Sequence, residues 1–171
     1  MNLDLWRRLG VAIAFVFLIN QSQSAYSANG FTDLEGNPAD FSDYVAADRW
    51  LVVMIWSWTC PICAQEMSGQ AQLHERHRGG RLTLLGISLD GAAGIMEAWA
   101  FAEEHGTSFP NLIGEGQDVA GFFHKQTGQG FQGTPTFLIY APGGQLKAVQ
   151  AGAVPPEAIE AFIGQQERSG G

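Results

Sequence analysis

Cysteine is scarce in this chain, and its scarcity limits what can hold the fold together. Only two cysteines occur among the 171 residues, at Cys60 and Cys63. No disulfide framework can therefore join distant segments. The chain is long enough to bury one core and too short for two ordinary domains once a targeting segment is removed. We expect one domain whose stability comes from packing.

Basic residues are also few. Nine lysines and arginines stand against 17 aspartates and glutamates, which gives a formal net charge of −8. A nucleic-acid surface needs clustered basic side chains that displace counterions, so the composition argues against a nucleic-acid partner. The acidic balance favours solubility and identifies no partner by itself.

The apolar run near the N-terminus is short. It covers 11 residues, 9–19, whereas a membrane-spanning helix needs about 20. Two arginines precede the run, and the small residues of the stretch 25–27 follow it. This order of basic, apolar and small residues is typical of an export signal.

An export signal would place the mature protein outside the cytoplasm. We predict that residues 1–27 are a cleaved signal peptide or a retained membrane anchor that tethers the protein through residues 9–24. A buried helix of the fold is the third interpretation. The expected location is the periplasm or another extracytoplasmic compartment. Disulfides persist there, so a dithiol needs a supply of reductant or has an oxidising role.

The remaining sequence alternates between strand-like and helix-like segments. The uncharged apolar run Trp50–Trp56 predicts a central strand covered on both faces. Pro61 then suits the first turn of a helix that continues to about residue 77. Further strands are predicted over residues 82–89, 136–140 and 145–149, and further helices over residues 95–105, 118–127 and 156–165.

Strands that alternate with helices and close on an antiparallel hairpin predict an α/β fold, with a central mixed β-sheet flanked by helices. A turn over residues 34–38 adds an N-terminal β-hairpin extension. Asp118 is predicted to cap the helix that it begins. We expect the domain to cover residues 28–165 and residues 166–171 to form a frayed C-terminal tail.

The two cysteines lie where a strand gives way to a helix. The thiolate is the attacking species in disulfide exchange, and the free N–H groups and dipole of a helix N-terminus stabilise it. Cys60 is therefore predicted to be the nucleophile. Cys63 follows almost one helical turn later, close enough to bridge Cys60 and better sheltered, which suits a resolving thiol. Together the two residues would form a redox-active disulfide.

Other uses of a Cys-x-x-Cys pair remain open. Haem attachment requires a histidine after the second cysteine, where Ala64 stands. A zinc site could recruit His74 and His77, but a continuous helix carries His74 roughly 16 Å beyond Cys63. Two buried structural cysteines, or an inert disulfide, are the third alternative.

Several motifs occur in an order that is typical of one superfamily. They are residues 33–38, Trp56-Ser57-Trp58-Thr59, Cys60-Pro61-Ile62-Cys63 followed by Glu66-Met67, Ser108-Phe109-Pro110, Gly133-Thr134-Pro135-Thr136-Phe137 and Pro142-Gly143-Gly144. The chain thereby resembles the thioredoxin superfamily, and within it the exported TlpA/ResA-like branch that includes the cytochrome c maturation thioredoxins. The resemblance covers almost all of the mature chain. It implies a thioredoxin-like fold and a thiol-disulfide oxidoreductase activity that needs no cofactor and no metal.

The resemblance also implies how a substrate is held. Pro135 matches the cis-proline of the family, which is implied to face the two sulfurs; an ordinary trans turn before a strand is the alternative. The cis-proline would leave the backbone of Thr134 free to pair with an extended substrate chain and would keep metal away from the dithiol. Trp58, Thr59 and Pro61 are implied to contact the substrate next to the first cysteine.

Three further positions bear on the chemistry. Glu66 lies where this branch carries an acid just past the second cysteine, which is implied to tune the thiol pKa or to transfer a proton to Cys63. A solvated glutamate that favours the helix dipole is the alternative. Thr59 stands where the family commonly has tryptophan, and Met54 stands where cytoplasmic thioredoxins have a buried aspartate. These two departures leave the direction of electron flow open.

The leading hypothesis is an exported reductase or interchange enzyme for protein disulfides. Its partners would be proteins with cysteines, such as an apocytochrome or a copper-site assembly protein, and a membrane thiol-reductant donor. One alternative is a protein-thiol oxidase of the same fold, and another is a copper chaperone that adds a histidine such as His124 to the cysteine pair. A peroxidase of the peroxiredoxin type would need proline at position 53, which is Val53.

Overall fold

The structure is a computed structural model and describes residues 30–169. The predicted signal or anchor over residues 1–27 lies outside the described residues. Strands and helices alternate along the chain, in the order β1 (Thr32–Asp33), β2 (Trp50–Trp56), α1 (Pro61–Arg76), β3 (Leu82–Ser88), α2 (Ile95–Glu104), β4 (Asn111–Ile113), α3 (Gly116–Thr127), β5 (Thr136–Tyr140), β6 (Leu146–Ala151) and α4 (Pro156–Ser169). None of these helices has the length and apolar character that crossing a membrane requires.

The described strands form one mixed sheet in the order β1-β4-β3-β2-β5-β6. β2, β3 and β4 run parallel, whereas β5 runs antiparallel to β2 and β6 runs antiparallel to β5. β2 lies in the interior of the sheet and all seven of its residues are buried, as its uncharged sequence predicted. The predicted α/β fold with a central mixed sheet is confirmed. The expected N-terminal extension is short, because β1 pairs with β4 and makes a single bridge from Thr32 to Pro38.

Apolar side chains cover both faces of the sheet. Residues of β2 alternate between the faces, because successive side chains of a strand point in opposite directions. Met54 and Trp56 join a cluster with α1, α2 and α4, whereas Val53 and Ile55 join a cluster with α3. Each fully buried side chain of this size contributes about 1.5–3 kcal/mol. The sheet is therefore the middle layer of an α/β sandwich.

Two predicted boundaries are wrong. α3 begins at Gly116 with Glu115 as its N-cap, so Asp118 lies in the first turn and does not cap the helix. The helix begins earlier because the Glu115 carbonyl already accepts hydrogen bonds from the Asp118 and Val119 N–H groups, at 2.8 and 3.0 Å. The Glu115 carboxylate accepts a hydrogen bond from the Ala92 N–H at 3.0 Å. The predicted frayed tail is helical over residues 166–169, since α4 continues to Ser169 and Glu167 forms an ion pair with Arg81.

The pairing of β2 brings three chain segments to one edge of the sheet. β2 and β3 are parallel with Trp56 opposite Ser88, so both strands end at this edge. β5 begins there, because Thr136 pairs with Ile55. The turn from β2 into α1, the residues after β3 and the residues before β5 are thus neighbours. This edge contains the cysteine pair.

We expect Gly86→Ala to destabilise the protein. Gly86 lies within β3, where an added Cβ would overlap Asn111 Oδ1 and lie 2.8 Å from Trp56 Nε1. Those two atoms form a 3.0 Å hydrogen bond, so the substitution must separate them or move a strand. Overpacking of this kind costs about 1–3 kcal/mol. Urea unfolding followed by tryptophan fluorescence measures the loss.

Gly121→Ala is the matched control for this test. An added Cβ at Gly121 meets nothing within 4 Å, and the residue is exposed within α3. Replacing a helical glycine by alanine stabilises by up to about 1 kcal/mol. If Gly86→Ala were as stable as Gly121→Ala, the close approach of Asn111 and Trp56 would not be the reason for glycine in β3.

Candidate active site

Cys60 is the residue that precedes the first turn of α1. Its backbone is extended, with φ −91° and ψ 108°, and its Sγ accepts a hydrogen bond from the Cys63 N–H at 3.1 Å. Pro61 takes the first helical position, where the missing N–H costs nothing because no helical partner exists there. The predicted helix start is confirmed. Free N–H groups and the positive end of the helix dipole therefore act on the sulfur of Cys60.

Cys60 and Cys63 form a disulfide, with their Cα atoms 5.2 Å apart. The two residues differ in access. Cys60 is partly exposed, whereas Cys63 is fully buried and belongs to the same apolar cluster as Met54 and Met67. Cys60 is the member of the pair with solvent exposure and Cys63 lies in the core, which is the asymmetry expected of a nucleophile and a resolving thiol.

Apolar side chains surround the accessible sulfur. Trp58 is 43 % exposed and Ile62 is 46 % exposed, although large apolar residues are usually buried. Pro61 and Thr59 are exposed beside them. We call these four residues, which flank Cys60 in the chain, the rim; an incoming polypeptide would contact them.

The segment before β5 presents unpaired backbone at the same edge. The Thr134–Pro135 peptide bond is cis, and the Pro135 carbonyl accepts a hydrogen bond from the Gly152 N–H at 2.8 Å. Within residues 30–169, neither the N–H nor the carbonyl of Thr134 forms a backbone hydrogen bond. An extended chain could therefore add to this segment through main-chain hydrogen bonds. The role of Thr134 and Pro135 in substrate binding stays a prediction.

Glu66 has a partner that its sequence position did not indicate. Its Oε2 accepts a hydrogen bond from the Val154 N–H at 3.1 Å. One helical turn later, Gln70 Nε2 donates to the Val154 carbonyl at 2.8 Å. α1 thus holds both backbone groups of Val154, in the segment that joins β6 to α4. Glu66 is therefore more than a solvated glutamate. The role of Glu66 in proton transfer to Cys63 stays a prediction.

Asp90 is a site residue that the sequence reasoning missed. It follows β3, and its Oδ1 accepts a hydrogen bond from Ser57 Oγ at 2.6 Å. Its Oδ2 accepts from the Trp58 N–H at 3.0 Å and from Ser88 Oγ at 2.7 Å. Polar residues directly after a buried strand were the available signal, because the carboxyl ends of parallel strands form sites. Through these hydrogen bonds, the carboxylate of Asp90 connects the turn before Cys60 to the end of β3.

The histidines lie elsewhere. His74 accepts a hydrogen bond from a β3 backbone N–H at 3.3 Å, and its burial lowers its pKa. His77 Nε2 lies 2.8 Å from Glu160 Oε1, and His124 Nδ1 lies 3.2 Å from the Gln129 carbonyl, near the end of α3. Among residues 30–169 no group of three or more His, Cys, Asp or Glu side chains could hold a metal ion. In this arrangement His74, His77 and His124, which the zinc and copper alternatives would use, are not grouped with the cysteine pair.

Comparison with known sequences identifies one family. The sequence profile of the AhpC/TSA family matches residues 21–149 of this chain. The search of curated proteins found no match to this chain.

Comparison with solved structures gives several similar folds. A thioredoxin-family thiol:disulfide interchange protein from Chlorobium tepidum has a TM-score of 0.66 at 16% identity, over 78% of this chain and 89% of that one. A thioredoxin-related protein from Neisseria meningitidis has a TM-score of 0.67 at 18% identity, over 81% and 98%. A secreted Mycobacterium tuberculosis disulfide oxidoreductase homologous to E. coli DsbE has a TM-score of 0.62 at 18% identity, over 78% and 92%. The predicted thioredoxin-like fold is confirmed.

We expect Glu66→Ala to destabilise the protein by about 1–3 kcal/mol, because the partly buried Val154 N–H would lose its acceptor. Glu66→Gln keeps an acceptor oxygen and should cost less than about 1 kcal/mol. Gln65→Ala, at an exposed position on the same turn of α1, is the control. Thermal unfolding of the oxidised proteins provides the comparison. Equal stability of all three variants would mean that the contact with Val154 contributes nothing.

Proposed function

This chain belongs to the AhpC/TSA family and has a thioredoxin-like fold with the cysteine pair of the thiol-disulfide oxidoreductases, and we propose that it reduces or interchanges disulfides of proteins outside the cytoplasm. The observation that carries the proposal is the asymmetry of the cysteine pair. A partly exposed Cys60 at a helix N-terminus is joined to a fully buried Cys63. Cys60 can contact a large substrate, whereas Cys63 can react only with Cys60.

The reaction follows from this arrangement. In the reduced protein, the Cys60 thiolate attacks one sulfur of a substrate disulfide; that disulfide breaks, and the other substrate sulfur leaves and takes up a proton. Cys63 then loses its proton and attacks Cys60 Sγ, which breaks the mixed disulfide and releases the second substrate thiol. The substrate has gained two electrons and two protons, and the Cys60–Cys63 disulfide has formed. A dithiol donor, proposed to be a membrane thiol reductant, reduces the pair again.

A protein substrate fits the surroundings of Cys60 better than a small thiol does. The exposed rim of Trp58 and Ile62 offers apolar contact, and the free backbone groups of Thr134 offer main-chain pairing. Both suit an extended polypeptide with a cysteine. The resemblance to the TlpA/ResA-like branch supports an apocytochrome or a copper-site assembly protein as the substrate.

The direction of electron flow is proposed to be reductive. A strong oxidant of this fold needs a strongly stabilised thiolate, because stabilising the reduced form makes the disulfide more oxidising. The residues between the cysteines are Pro61 and Ile62, neither of which adds positive charge. Export is supported by the order of residues in the stretch 1–27, outside the described residues.

Cys63→Ser should trap partner proteins on Cys60. The variant can form the mixed disulfide but lacks the thiol that resolves it. The adducts are detected as bands on a non-reducing gel that disappear on reduction and are identified by mass spectrometry. Cys60→Ser is the control and should trap nothing. If Cys63→Ser forms no adduct with exported proteins under reducing and oxidising conditions, the chain does not act on protein disulfides.

The reduction potential separates the two directions. Equilibration with glutathione buffers, read by tryptophan fluorescence or thiol alkylation, should give a value well below about −200 mV for a reductase. A value near about −120 mV, similar to that of a strong oxidant, would instead support the protein-thiol oxidase.

A further inference from the structure

We propose that Asp90 is a positioning residue for Cys60, acting through the turn of residues 57–59 that joins β2 to α1. Asp90 does not take part in the exchange itself. Its carboxylate holds this turn against the end of β3, and the turn holds the sulfur that attacks. The inference deepens the proposed function and rests on it, because positioning matters only if Cys60 attacks a substrate. The rate at which Cys60 reacts with small reagents tests the inference separately.

The first step of the argument is the hydrogen bonding of Ser57. Ser57 is only 4 % exposed, and its hydroxyl proton is donated to Asp90 Oδ1 at 2.6 Å. Ser57 Oγ therefore accepts from Thr59, at 2.9 Å from Thr59 Oγ1 and 3.2 Å from the Thr59 N–H. A hydroxyl has one proton and two lone pairs, so every bonding position of Ser57 is used. The chain of donors runs from Thr59 through Ser57 and ends at the carboxylate.

The second step is the anchorage of the carboxylate. Asp90 Oδ2 accepts from the Trp58 N–H at 3.0 Å and from Ser88 Oγ at 2.7 Å. Ser88 is fully buried and is the last residue of β3, and its Oγ in turn accepts from the Asp90 N–H at 3.2 Å. Asp90 therefore connects Ser57 and Trp58 directly, and Thr59 through Ser57, to the end of β3.

The third step leads from the turn to the sulfur. The Cys60 N–H donates to the Ser57 carbonyl at 3.1 Å, so the backbone of Ser57 fixes the backbone of Cys60. Exchange requires the attacking sulfur to approach along the axis of the substrate disulfide, and small displacements of a reacting group are costly to the rate. Two elements fix the backbone of Cys60, which are this turn and α1. If the bonds to Asp90 are lost, only α1 still fixes it.

Gly94 provides independent support. An added Cβ at this buried glycine would lie 2.9 Å from Asp90 Cβ and 3.5 Å from Trp58 Nε1. The absence of a side chain at Gly94 therefore allows the Asp90 Cβ and the Trp58 indole to lie close to the residue that precedes α2. Gly94→Ala would push against Asp90 without altering its charge or the hydroxyl groups.

The network also gives a reason for Thr59. In the family that the chain resembles, this position is commonly tryptophan, which carries no hydroxyl. Here the Thr59 hydroxyl donates to Ser57, and Ser57 donates to Asp90. The threonine at this position and Asp90 are therefore members of the same hydrogen-bond chain. A surface threonine with no role in the turn would tolerate valine without effect.

The test measures the second-order rate constant with which the prereduced protein reduces hydroxyethyl disulfide, a small neutral disulfide that does not depend on the apolar rim. Asp90→Asn should slow the reaction at least about tenfold. Asparagine has only one acceptor oxygen, so its amide nitrogen must face either the Trp58 N–H, with which it cannot bond, or Ser57 Oγ, whose proton would then have to turn towards Thr59. Thr59→Val should slow it at least threefold without a change of charge, and Thr59→Ser should recover most of that loss.

Glu97→Gln is the matched charge control, because Glu97 is an exposed carboxylate in the first turn of α2. Its rate constant should stay within twofold of the parent protein. An equal slowing by Glu97→Gln and Asp90→Asn would overturn the proposal, because the effect would then be one of net charge. The proposal would also be overturned if the Asp90 and Thr59 variants have lower melting temperatures than the parent but the same rate constant at temperatures where all of them are folded. Asp90 would then have only a structural role.

Two further measurements keep the test decisive. If Asp90→Asn does not fold, Thr59→Val and Gly94→Ala perturb the same network, and parent rates in both would overturn the proposal. If the parent protein does not reduce hydroxyethyl disulfide, the trapping of protein substrates on Cys63→Ser decides the proposed function. The rate of alkylation of Cys60 by iodoacetamide then tests Asp90 alone, with the same order expected among the variants.

Discussion

The pairing of β2 on both sides is the constraint on which the rest of this structure depends. β2 joins β3 in parallel register up to Trp56 and β5 in antiparallel register up to Ile55. A slip of one residue would move every side chain of β2 to the opposite face. It would take Met54 out of the cluster that covers Cys63. The register therefore determines where the turn to α1, the residue after β3 and the cis-proline segment meet.

The parts of this arrangement that follow from local sequence could be predicted, and the parts that join distant residues could not. β2 and α1 are evident from an uncharged run and from a proline at a helix start. The Ser57–Asp90 bond spans 33 positions and the Glu66–Val154 bond spans 88, so neither follows from spacing. The same limit applies to the contact between the Glu115 carboxylate and the Ala92 N–H beside the start of α3. It also explains the last turn of α4, which an ion pair with Arg81 holds.

Membership of the AhpC/TSA family has to be reconciled with the residues before Cys60. A peroxidase of the peroxiredoxin type would require proline at position 53, but Val53 pairs with Leu85 on one side and Leu138 on the other. Proline cannot supply an N–H to such a ladder, so it is excluded from the interior of a sheet. The hydroxyl of Ser57 is likewise engaged, by Asp90 and Thr59. The local structure therefore suits disulfide exchange.

The complete burial of Cys63 has a consequence for how the protein survives oxidants. A peroxide that reaches Cys60 would convert it to a sulfenic acid, which is lost irreversibly if it is oxidised again to the sulfinic acid. Cys63 lies within bonding distance and is screened from solvent by the core. Its thiol would condense with the sulfenic acid, release water and restore the disulfide. The burial of Cys63 would thus let it rescue Cys60 from permanent damage while it is itself shielded from the oxidant.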